Sequence, residues 1–247
     1  MKKNAESSVW FLTAAILLFC LCCCMLKVRP DHLTGAAFCH QIPARSPAFG
    51  FPFCYRCSGL FFGLFFGILT SCLIKTERKL FSVQILTAFA ASIIIYILDI
   101  LNSAKFPGFQ IYPESVSYRF LSAYPLGYFT AQLIASIIKT ILLPKPGNKG
   151  INFLFNIPIL IVTAGISWVM IFNENHFLSV ISRIFLGCTA IFFLGSLYAI
   201  LLKCYALWRE RPKDNKDLII SGLTCSLFHI TLTGYLHLRF LPFDQIL

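Results

Sequence analysis

Apolar blocks long enough to cross the hydrocarbon core of a bilayer recur along the whole 247-residue chain, at 9–26, 58–74, 81–101, 124–143, 151–172, 177–202 and 218–238. A spanning segment needs roughly 20 apolar residues. Inside lipid its backbone polar groups must be satisfied within the segment, which makes each block a helix. The expected fold class is therefore an all-α polytopic transmembrane helical bundle of about seven spans. Six is the alternative count, because the second block is the shortest and its start lies anywhere from Phe51 onward. With no soluble stretch large enough to fold alone, residues 1–247 read as a single integral membrane domain.

Composition agrees: 57% of residues are hydrophobic and 13% charged, against about a quarter charged in soluble domains. The formal charge of +11 does not point to nucleic acid, because the basic residues sit mainly in short linkers between apolar blocks. There they orient a membrane protein and meet lipid headgroups. Lys2 and Lys3 precede an apolar run with no small-residue cleavage site after it, so the first block is expected to be a retained anchor rather than an export signal. Across seven spans, twelve basic residues fall on the side of the N-terminus and seven on the other. The positive-inside rule then gives a cytoplasmic N-terminus and an outward loop between spans one and two, as expected for a bacterial inner (cytoplasmic) membrane protein.

That loop holds the densest chemistry. Cys54 and Cys57 form a CxxC, and Cys39 and His40 precede it by about fifteen residues. Two thiols at this spacing share a zinc ion, form a disulfide or exchange one, and a third soft ligand strengthens the metal reading. Cys39, Cys54 and Cys57 are the candidate metal ligands, since adjacent residues such as Cys39 and His40 usually point apart; His40 and Asp99 are the candidate catalytic residues, either of them moving a proton. The same three cysteines are the residues of a redox alternative. Arg45, Arg56 and Arg119 are candidate anion-binding residues, since guanidinium groups pair with phosphate or carboxylate through two parallel hydrogen bonds. Asp99 ends an apolar run, where an ionisable side chain is a functional candidate by default. Its expected partner is Arg119 or Arg56, and its competing role is an ion pair that fixes helices. Gly59, Gly63 and Gly67 share one helical face and are expected to serve close helix packing. The remaining cysteines, Cys20, Cys22, Cys23 and Cys24 among them, read as small packing residues.

These motifs resemble an uncharacterised bacterial and archaeal family of polytopic membrane proteins, a domain of unknown function. The resemblance is carried by Cys39, His40, Gln41, Pro43, Arg45 and Ser46, then by Cys54, Arg56, Cys57, Gly59 and Gly63, and downstream by Asp99, Arg119 and Gly127. It covers residues 10–140, leaving 141–247 as additional transmembrane helices. It implies membrane location and a shared site, and no particular reaction.

The functional expectation is an outward-facing Cys/His metal site, with zinc as the cofactor, handling an anionic or lipid-linked substrate. Two alternatives stay open: a membrane thiol-disulfide oxidoreductase using the CxxC, and a nonenzymatic transporter or assembly factor whose cysteines are a structural staple.

Overall fold

The computed structural model describes residues 2–39, 53–73, 83–103, 112, 115–142, 156–173, 175–209 and 215–240. Among them run eight helices: α1 (Lys2–Leu26), α2 (Pro30–Phe38), α3 (Tyr55–Leu73), α4 (Val83–Ser103), α5 (Val116–Leu142), α6 (Asn156–Phe172), α7 (His176–Trp208) and α8 (Asn215–Phe240). Four are long and apolar enough to cross a membrane: α4, α5 over Val116–Ile138, α7, and α8 over Asn215–Leu236. Leu12–Leu26 of α1 and the whole of α6 are shorter apolar helices. At 1.5 Å per residue the 19 residues of α3 reach about 28 Å, close to a hydrocarbon core. The protein is an integral, multi-pass, all-α bundle of about six to seven spans in a lipid environment.

Two departures from the sequence expectation have a clear local reason. The fourth span was expected to open at Tyr124, beside Pro125, but α5 begins at Val116 and carries Pro125 within it. Ser115 makes the earlier start: its Oγ accepts the Ser117 N–H at 3.2 Å and its carbonyl the Arg119 N–H at 3.3 Å, which is N-capping. Arg119 accordingly lies inside the helix rather than ahead of it. α2 is the second difference, a nine-residue helix in what reads as loop. α1 stops because Lys27 adopts a left-handed φ of 53°, so that the Lys27 and Val28 N–H groups fold back onto the carbonyls of Cys24 and Cys23. Pro30, which has no N–H to satisfy, then opens α2.

The chain forms two compact units, Met1–Pro43 with Gly187–Leu247, and Ala44–Leu186. In the first, α1 and α2 pack on α8. Its core gathers Cys22, Cys23, Leu33, Ala36 and Leu238, so these two cysteines behave as small apolar side chains, whereas Cys20 and Cys24 are exposed. Tyr198 and His229 share a hydrogen bond of 2.9 Å between α7 and α8.

In the second unit α3 lies along α5 with the two backbones in contact. A Cβ at Gly59 would run into the Phe120 carbonyl, one at Gly63 into Tyr124 and Tyr128, one at Gly67 into Tyr128, and from the other side one at Gly127 into Leu60. Around this seam Phe120, Trp168 and Phe172 form an aromatic cluster joining α5 to α6, and Tyr55 stacks on Phe172 with centroids 5.0 Å apart. The seam makes the start of α3 a rigid support for the residues that precede and open it.

Candidate metal centre

Cys54 occupies the capping position of α3. Its carbonyl accepts the Ser58 N–H at 2.8 Å, the first bond of the helix, and its Sγ lies 3.4 Å from the Cys57 N–H that donates to it. A backbone donor and the positive end of a helix both suit a sulfur carrying negative charge. Cys57 follows one turn later, and Cys39 stands one residue past α2. The Sγ atoms of Cys39, Cys54 and Cys57 all lie within 4.8 Å of one another. Around a tetrahedral zinc with bonds of about 2.3 Å, thiolate sulfurs stand roughly 3.8 Å apart, so a small contraction would bring all three onto one ion. Cys39 and Cys54 are buried and Cys57 is half-buried.

Arg56, between the two cysteines of the CxxC, belongs to a separate polar assembly at the same end of α3. Its Nε and Nη2 donate to Asp99 Oδ2 at 2.8 and 2.5 Å, and Nη2 also reaches Ser103 Oγ at 2.9 Å. Only 7% of Arg56 and 1% of Asp99 are exposed. The other carboxylate oxygen, Oδ1, accepts the Tyr112 hydroxyl at 2.8 Å. Tyr112 is held in turn by Asn102, whose side chain donates to the Tyr112 carbonyl at 3.1 Å and accepts its N–H at 3.3 Å. The Tyr96 ring lies 5.9 Å from the guanidinium carbon. Desolvation, then the hydrogen bond to Asp99 and the charge of that carboxylate, push the Tyr112 hydroxyl up to about 12, against a smaller opposing pull from Arg56 and Arg119. Tyr112 therefore stays a donor throughout the physiological range.

Of the residues singled out in sequence, the structure brings Cys39, Cys54 and Cys57 together. It pairs Asp99 with Arg56 rather than Arg119, and so places the end of α4 and the start of α3 at one end of the bundle. Arg119 is buried in the opening turns of α5, within electrostatic reach of Tyr112. Gly59, Gly63 and Gly67 lie against α5. His40 and Arg45 lie outside the described residues. Sequence reasoning passed over Asn102, Ser103 and Tyr112. The first two had a signal, polar residues three and four positions after Asp99 on one helical face. Tyr112 had none, since its stretch reads only as a turn.

Residues 39–133 are similar to the family described as "Predicted membrane protein (DUF2085)". This match is narrower than the 10–140 expected from the motifs, yet it contains the three cysteines, Arg56, Asp99, Tyr112 and Arg119. No curated protein and no solved structure matches the chain.

Proposed function

We propose that Cys39, Cys54 and Cys57 hold a zinc ion at the outward face of a bacterial inner-membrane protein, and that this site handles an anionic or lipid-linked substrate. The convergence of three sulfur atoms at the start of one helix carries the reading. Three thiolates leave one tetrahedral position for water or substrate, the arrangement that lowers the pKa of bound water or polarises a bound oxygen. Three thiolates on a divalent cation also leave one net negative charge, which the nearby guanidinium groups offset.

In this reading Arg119 and Arg45 are the anion-binding residues. Arg56 adds positive charge, but its Nε and Nη2 are engaged by Asp99 and Ser103. Both Asp99 oxygens are likewise occupied, by Arg56 and by Tyr112, so Asp99 acts by positioning Arg56, and proton transfer falls to His40. The basic-residue bias of the linkers supports a cytoplasmic N-terminus, with the cysteine end outward.

Elemental analysis of the detergent-purified protein tests this, alongside a Cys54→Ser/Cys57→Ser variant and a Cys39→Ser variant. About one zinc per chain is expected, lost in the double variant and weakened in Cys39→Ser. A metal-free protein whose electrophoretic mobility responds to dithiothreitol overturns the reading in favour of thiol-disulfide exchange, which uses the same sulfurs.

A further inference from the structure

The second unit holds another set of buried polar side chains, along one face of α5. Tyr124, Tyr128 and Gln132 recur every fourth residue, which places them on one helical face about 6 Å apart along the axis. At Gln132 the face is closed by a reciprocal amide pair with Asn156 of α6, at 3.2 and 3.5 Å. The two tyrosines above it differ. Both are fully buried. The Tyr124 hydroxyl faces Thr163 and Ser167 of α6, and the Tyr128 hydroxyl faces Thr70 of α3 and Gln132, without either reaching hydrogen-bond geometry. Ser58 Oγ, next to Cys57, is also fully buried without a hydrogen bond.

Side chains that only join helices in lipid bond to each other directly, as Gln132 and Asn156 do. Here the neighbouring donors are already turned elsewhere: the Thr163 hydroxyl donates to the Ile159 carbonyl at 2.6 Å, and the Ser167 hydroxyl to the Thr163 carbonyl at 2.7 Å. Their oxygens keep acceptor capacity, and so does each tyrosine oxygen. A small molecule able both to donate and to accept would satisfy these groups, and a hydroxyl buried among helices without such a partner is costly.

We propose that the Tyr124 and Tyr128 hydroxyls hold internal water between α3, α5 and α6, which makes this face of α5 a hydrated site inside the membrane-spanning part of the unit. An internal water needs two to four polar partners, and the Tyr124 hydroxyl with Thr163 and Ser167, or the Tyr128 hydroxyl with Thr70 and Gln132, supplies them. The inference is independent of any metal at the cysteines.

Radiolytic hydroxyl-radical footprinting of the unmodified protein in detergent tests it, because an X-ray pulse generates radicals from bound water in place. Tyr124 and Tyr128 are expected to label at rates comparable to the exposed Tyr118 and Tyr205, with the equally buried Phe120 severalfold slower. Labelling of both tyrosines as slow as that of Phe120 overturns the proposal. Tyr128→Phe provides a second measurement. Removing a hydroxyl that binds water lowers the melting temperature, whereas removing one from a dry interior deletes an unsatisfied group and raises it. A raised melting temperature overturns the proposal as well.

Discussion

Consecutive helices α3 and α4 are held in the bundle by opposite means. α3 buries Phe61, Phe62 and Leu64, and lets its glycines meet the α5 backbone. α4 buries Ser92, Asp99 and Asn102, all polar, while Ile94, Ile95, Ile97, Leu98 and Ile100 face outward. Lipid tails are as apolar as leucine, so apolar side chains gain nothing by leaving them, and association rests on close packing and on polar groups that lipid cannot solvate. The glycine seam uses the first of these and α4 the second. Packing along α3 fixes how closely two backbones approach. The single carboxylate of α4 fixes which end of that helix stands beside the CxxC.

The sharpest way to break the comparison is to remove one charge. Asp99→Asn leaves the buried Arg56 guanidinium without its counterion, and a broken buried pair costs about 3–5 kcal/mol. Thermal or denaturant unfolding in detergent should show that loss. The double variant Arg56→Met/Asp99→Leu should recover most of it, since an apolar pair in lipid has no charge to solvate. If the two single losses simply add in the double variant, the pair is not what holds α4 in place.

How much of this was legible in sequence follows the same division. Spans are visible because lipid imposes one composition on every crossing, and the glycine face because three glycines share a helical period. The partner of that face, α5, was not visible, since a small-residue stripe carries no mark of what lies against it. The CxxC and Cys39 stood out through residue type and spacing. Asp99 stood out as a carboxylate in an apolar run, but choosing Arg56 over Arg119 needed the packing. Two features were hidden for local reasons: α2, whose start depends on Lys27 taking a left-handed φ that favours glycine, and the Tyr112 contact, which depends on where the chain turns back after α4.

The packing half of the comparison is tested at Gly63. A Cβ there meets main-chain atoms of Tyr124 and Tyr128 that cannot rotate away, so Gly63→Ala should cost about 1–3 kcal/mol as the helices are forced apart. Gly165→Ala in α6 is the control, because nothing lies within 4 Å of its added methyl. There the better helix propensity of alanine should stabilise by up to about 1 kcal/mol. Equal effects at the two glycines would mean that the α3–α5 approach is looser than the backbone contacts require.

The smallest effect belongs to Tyr112, which supports the ion pair from outside the helices. Its hydroxyl donates to Asp99 Oδ1 at 2.8 Å and is half-buried, so Tyr112→Phe should cost about 1 kcal/mol, below the range for fully buried bonds to charged groups. This contribution should depend on pH in a way the glycine seam does not. The hydroxyl is raised from 10.0 to about 12 in the folded protein, so folding favours its protonated form. The stabilisation is fully present below pH 10 and is lost as pH rises through about 12, where ionisation removes the donor and sets two negative oxygens side by side. The stability difference between the unmodified protein and Tyr112→Phe, followed from neutral pH upward, should therefore stay flat to about pH 10 and then shrink. A difference that keeps its size through pH 12 would show that the phenol ring matters at this position and the bond to Asp99 does not.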